Sequence, residues 1–93
     1  VMNNKSWGAE KAYQKDFYGK RYLGDDIKGH SFDKVAEIYG AKGFKVKKIS
    51  EIADAVEAAI KSNKPAVIDV DVDPKALYSF RTDSFKHREK KWI

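Results

Sequence analysis

The sequence predicts an α/β fold, the C-terminal half of a doubly wound parallel sheet, and three observations carry that expectation. Residues 43–72 read strand, helix, strand: "GFKVKKI" alternates, Ile52, Ala53, Val56, Ala59 and Ile60 recur at helical spacing, and "AVIDVDV" is rich in β-branched residues. A helix of that length returns the chain parallel to its start, by a right-handed crossover. Before it, Phe32, Val35, Ala36 and Tyr39 follow at i, i+3, i+4 and i+7, the stripe of a helix that lies on a sheet. At the start, Val1-Met2 is the apolar close of a strand too short to stand by itself, so it belongs to the same sheet and implies a longer parent chain.

Each element has local reasons to form. Asn3 and Asn4 follow the strand end, and adjacent asparagines are expected in a turn because their amides compete for nearby backbone groups. "WGAEKAYQKDFY", residues 7–18, is compatible with a helix that stops near Gly19, and the three glycines of "GKRYLGDDIKGH" predict a loop. Ser31 is placed to cap the next helix and Gly40 to end it. Ser50 stands where a cap for the crossover helix is expected, and Asn63-Lys64-Pro65 ends that helix. Residues 1–74 then form one partial domain, and 75–93 a basic tail without a clear period.

Composition narrows the chemistry. Ninety-three residues, 42% hydrophobic and 35% charged, suit one small water-soluble domain. No apolar run approaches the ~20 residues of a membrane-spanning helix, and no secretory pattern opens the chain, so the cytoplasm is the expected compartment. The absence of cysteine removes disulfides, thiolate metal sites and cysteine nucleophiles. The net charge of +5 concentrates in Lys42, Lys45, Lys47 and Lys48 and again in Lys86, His87, Arg88, Lys90 and Lys91. Without a nucleic-acid motif these read as solvated faces, and no nucleic acid or membrane partner is expected.

Ligands of open α/β sheets bind beyond the carboxyl ends of the strands, which is where Asn3-Asn4 falls. An amide oxygen and a backbone carbonyl in such a turn are hard, neutral donors, suited to Mg²⁺ or Ca²⁺ rather than zinc. A turn that holds no ligand is the competing reading. Trp7 has two readings as well, a wall of a cofactor site or a packing anchor. Tyr13, Phe17 and Tyr18 suit a core or a subunit interface, and neither His30 nor His87 has ligand-spaced neighbours.

"NNKSWGAEKAYQ", "SFDKVAEIYGAKGFKV" and "SEIADAVEAAIKSNKPAVIDVDVD", in that order, resemble the C-terminal cofactor-binding domain of thiamine-diphosphate-dependent enzymes of the acetolactate synthase type. The resemblance covers residues 1–73. It implies thiamine diphosphate and Mg²⁺ as cofactors, with Asn4 as a metal ligand through its side-chain oxygen and Ser6 through its backbone carbonyl. Trp7 and Gly8 fall beside them on the cofactor side. The family signature opens with Gly-Asp-Gly and closes with Asn-Asn; only the closing half is present, so the chain alone is expected to be inactive.

The resemblance further implies a homodimer or homotetramer, because the activating glutamate comes from a second subunit in this family. Trp7 to Lys11 and the Phe80-Arg81-Thr82-Asp83 stretch are most similar to the sulfoacetaldehyde acetyltransferase branch, which takes sulfoacetaldehyde and phosphate to acetyl phosphate and sulfite. There Arg81 would offer a planar fork to an anionic substrate or phosphate, unless it pairs with an acid such as Asp83. An acetolactate synthase-type carboligase is the alternative enzyme, and a stand-alone, non-catalytic binding module the alternative of another class.

Overall fold

Three parallel strands make one sheet in the computed structural model, which describes residues 1–29 and 31–77. The strands are β1 (Met2–Asn3), β2 (Lys42–Val46) and β3 (Ala66–Asp71), in the spatial order β1-β3-β2. Registers of Met2 with Val70 and of Val46 with Val70 bring the carboxyl ends of all three strands to one edge. The helices are α1 (Gly8–Phe17), α2 (Phe32–Ile38) and α3 (Ile52–Lys61), and a 3₁₀ turn, Ile49–Glu51, leads into α3. The expected α/β class with a parallel sheet is therefore the observed one. No helix among the described residues is long and apolar enough to cross a membrane.

The chain divides into two compact units. One contains Val1–Lys5 and Lys28–Asp73, and so holds the whole sheet with α2 and α3; the other contains Ser6–Ile27 and, of the described residues, 74–77. In the first unit the alternation of side chains along paired strands sorts them into two faces. Phe44, Val46, Ile68 and Val70 share one face; Gly43, Lys45, Val67, Asp69 and Asp71 share the other with Asn3.

α2 covers the second of these faces. A Cβ on Gly43 would lie 2.0 Å from the Asp33 carbonyl oxygen, so the helix backbone rests directly on the strand and only glycine fits beneath it. The crossover through α2 runs from β1 out to β2, whereas that through α3 runs back from β2 to β3. The right-handed rule for parallel connections then puts α3 on the opposite, apolar face.

Several local expectations are corrected. Asn3 belongs to β1, and the turn begins after it. Ser31 occupies the N-cap position of α2 without a capping hydrogen bond from its side chain; its hydroxyl donates to the Asp33 carboxylate instead. Ser50 lies inside the 3₁₀ turn, and α3 starts from Glu51.

The helix faces also differ from the expected stripes. In α2 the buried residues are Asp33 and Ala36, while Tyr39 is 85% exposed, because a helix lying this close to the sheet admits only small side chains below it. In α3 the half-buried residues are Ile52, Ala55 and Ala59, and Ile60 is turned outward. The apolar arc of α3 is wide, and its alanine side permits the closer approach.

Candidate functional site

The turn that follows β1 is anchored at Asn3 and at Lys5. The carbonyl of Asn3 accepts a ladder hydrogen bond from the Val72 N–H at 3.0 Å. Its side-chain Oδ1 accepts from the Lys5 N–H, also at 3.0 Å, which closes an Asx turn around Asn4. Lys5 sits at φ 57°, the left-handed region in which a side chain is costly, and the Asx hydrogen bond offsets part of that cost. Asn4, half-buried, lies between these two anchored residues.

On its other side Asn3 reaches the middle of the sheet. Its Nδ2 donates to Oδ2 of Asp69 at 3.4 Å, and Asp69 is wholly buried. The same Oδ2 accepts from the Phe32 N–H at 2.9 Å and faces the Lys45 ammonium at 3.2 Å. Thus Asp69 does for the first amide of α2 what Ser31 was expected to do for that helix. Lys45 also donates to Oδ1 of Asp71 at 2.6 Å. Oδ1 of Asp69 is buried with no hydrogen-bond partner among the described residues.

Charge states follow from these contacts. Burial pushes the Asp69 carboxyl upward more strongly than any single contact lowers it. The Phe32 N–H, the Asn3 amide and Lys45 together prevail and hold it below the ordinary carboxylate range. The hydrogen bond from Lys45 holds Asp71 low, and the reciprocal bond to Asp71 raises Lys45. The group is an ammonium between two carboxylates, all three ionised near neutrality.

In the second unit, Trp7 takes the N-cap position of α1 and donates its N–H to the Asp25 carbonyl at 2.7 Å. Ser6 forms an isolated antiparallel bridge with Asp26. Lys11 holds Asp26 at 2.6 Å and lies over the Tyr22 ring, and its pKa is raised by the hydrogen bond to Asp26. Gln14 both donates to the Leu23 carbonyl and accepts from the Leu23 N–H, so the glycine-containing loop is folded back on α1. Asp25 is 3% exposed, with Oδ2 unpartnered among the described residues.

Of the residues singled out by sequence, Asn4 therefore lies in the unit of the sheet, and Ser6, Trp7 and Gly8 in the other. Trp7 is 61% exposed. Glu10 is exposed in the first turn of α1, where its charge complements the helix dipole. Arg81 and the second basic cluster lie outside the described residues, as does His30. The first basic cluster is not one surface, since Lys45 turns into the acidic pair. Sequence reasoning missed Asp69 and Asp25, and it read Lys45 as part of a solvated face. For Asp69 a signal existed: an acid between Ile68 and Val70 in a β-branched run must be either solvated or paired, and a strand between two neighbours is not solvated.

The chemistry of the Asn4 side chain fits a hard cation: an amide oxygen is a ligand of the kind Mg²⁺ takes, and the Asx turn sets the Asn4 backbone at the carboxyl edge of the sheet.

The pinned turn lies beyond the carboxyl end of a strand, the edge at which open parallel α/β sheets bind their ligands. The chain belongs to the family described as "Thiamine pyrophosphate enzyme, C-terminal TPP binding domain", which matches residues 1–70. It is 34% identical over 88 residues to sulfoacetaldehyde acetyltransferase of Alcaligenes xylosoxydans xylosoxydans, covering 90% of this chain and 15% of that protein. The enzyme of the same name from Castellaniella defragrans is 33% identical over the same shares. A probable acetolactate synthase large subunit of Methanococcus aeolicus is 32% identical over 80 residues, 85% of this chain and 13% of that protein. The chain thus spans about one seventh of the length of these relatives.

Proposed function

We propose that the chain is the cofactor-binding C-terminal part of a thiamine-diphosphate- and Mg²⁺-dependent acetyltransferase that converts sulfoacetaldehyde and phosphate to acetyl phosphate and sulfite. The observation that carries the cofactor reading is the Asx turn after β1, which holds Asn4 at the carboxyl edge of the sheet between two anchored residues. Asn4 supplies a side-chain oxygen and Ser6 a carbonyl oxygen to the metal, and the metal ties the diphosphate to the protein. Trp7 and Gly8, at the start of α1, border the diphosphate, where the N-terminal amides of a ten-residue helix favour negative charge. When bound, the cofactor supplies the carbanion chemistry of its thiazolium ring. The chain's own part is to hold and orient it.

Arg81 is the residue proposed for the anionic substrate or the phosphate. The working enzyme is a homodimer or homotetramer whose partner subunit completes the site, and it acts in the cytoplasm. The substrate assignment is supported by relatives of that name and by the Trp7–Lys11 run. Relatives named as acetolactate synthases, at 32–33% identity, favour a 2-oxoacid carboligase as the second reading.

The full-length protein that carries this sequence decides between them. With sulfoacetaldehyde, phosphate, thiamine diphosphate and Mg²⁺ it is expected to release sulfite, and a chelator is expected to abolish the release. Acetolactate formed from pyruvate, with no sulfite, establishes the carboligase instead. Failure of the full-length protein to bind thiamine diphosphate at any Mg²⁺ concentration returns the chain to a non-catalytic binding module.

A further inference from the structure

We propose that Asn3 is the positioning residue for Asn4, and that buried Asp69 is the fixed point from which Asn3 acts. The proposal rests on the reading of Asn4 as a magnesium ligand. Asn3 is held three ways: by its carbonyl in the ladder to Val72, by Oδ1 on the Lys5 N–H and by Nδ2 on Asp69. Only one orientation of its amide serves both side-chain contacts, since the reverse would set an oxygen against a carboxylate and an NH₂ against an N–H.

Asp69 gives that amide a rigid acceptor. Its side chain has no exposure to water, and the oxygen that receives Asn3 is already held by the Phe32 N–H and by Lys45. Position 3 therefore links the central strand to the far side of the turn, and the residue between the linked points is Asn4. The hydrogen bond from the Lys5 N–H to Asn3 offsets part of the cost of φ 57°, so the turn is less favoured without it. A turn set in advance spares the metal the entropic cost of ordering it, so removal of Asn3 weakens metal binding even though Asn3 supplies no ligand. Asn3 and Asn4 thus divide the work: one amide faces the sheet, the other the ion.

The test measures Mg²⁺ affinity at saturating thiamine diphosphate, by isothermal titration of the full-length protein, beside the melting midpoint of the metal-free form. Asn3→Ala is expected to weaken Mg²⁺ at least about tenfold. It should shift the metal-free midpoint by no more than about 4 °C. Asn3→Ser, which keeps an oxygen for the Lys5 N–H but cannot reach Asp69, is expected to recover part of the affinity. A lowered midpoint with wild-type Mg²⁺ affinity would show a purely structural residue and overturn the proposal, provided Asn4→Ala abolishes binding in the same assay. Unchanged affinity in Asn4→Ala removes the magnesium reading itself. If Asn3→Ala does not fold, Asn3→Ser decides by the same criterion: wild-type affinity overturns the proposal and weakened affinity upholds it.

Discussion

The two faces of the small sheet are held by different physics. On one, Phe44, Val46, Ile68 and Val70 meet α3, and the stabilisation is burial of apolar area. On the other, α2 rests on Gly43, with Lys45, Asp69, Asp71 and Asn3 joined by hydrogen bonds and charge. The apolar face tolerates repacking, because dispersion and burial have no preferred direction. The polar face does not: each of its groups needs a particular partner at a particular place, and the loss of one leaves another buried and unpaired. The turn that carries Asn4 is attached to this second, directional face.

Adjacent residues of β2 test that contrast with the largest expected effect. Lys45→Ala leaves Asp69 buried and charged without its cation. The cost is expected near 3 kcal/mol, toward the low end for breaking a buried pair, because 26% of the Lys45 side chain remains in water. Val46→Ala removes two methyl groups from a residue 1% exposed and is expected to cost about 2 kcal/mol. Lys45→Met keeps the volume without the charge, and it should fare no better than Lys45→Ala if charge is what matters. Denaturant titration of the full-length protein and these variants orders the three. A Val46→Ala cost that exceeds that of Lys45→Ala would mean that the polar face is incidental to stability.

An effect of comparable size is expected from Gly43→Ala. The new methyl overlaps the Asp33 carbonyl, and α2 must move off the strand, at about 1–3 kcal/mol for overpacking. Because the Phe32 N–H moves with α2, hydrogen exchange at Phe32 should quicken in this variant and stay slow in Val46→Ala. Equal protection in both would show that the helix adjusts without releasing Asp69.

The apolar half of this architecture was legible in the sequence. The β-branched run of β3 and the alternation of β2 gave strand positions, and the two helical stripes gave α2 and α3. Periodicity reports burial, however, and not which partner is met. It could not show that Ser31 would surrender the cap of α2 to Asp69, or that Lys45, placed by alternation on an exposed side, would turn inward. Those outcomes depend on registers across strands that are distant in sequence, Lys45 with Asp69 and Asn3 with Asp71. The Asn3-Asn4 pair was legible as a candidate because two amides at a strand end are unusual. The hold of Asp69 on Asn3 was not, since it requires the position of Asp69.

The smallest expected effect concerns acid. Asp71 is held below the ordinary carboxylate range by Lys45, with Lys5 assisting, and Asp69 is held low as well. A depressed carboxyl stabilises the fold above its unfolded pKa, about 3.9, and that contribution is lost as pH falls through the lower folded value. Lys45, raised, contributes fully below its unfolded pKa, about 10.4, and loses that contribution only as pH rises through the higher folded value. The polar face therefore weakens below about pH 4 and holds through neutrality. In metal-free protein, the melting midpoint of Asp71→Asn should lie closest to wild type at the acid end and fall furthest below it near neutrality. Val46→Ala, which removes no titrating group, should lower the midpoint by the same amount at every pH. If instead the two variants run parallel from acid to neutrality, Asp71 gains nothing from Lys45, and the distinction between the faces reduces to packing.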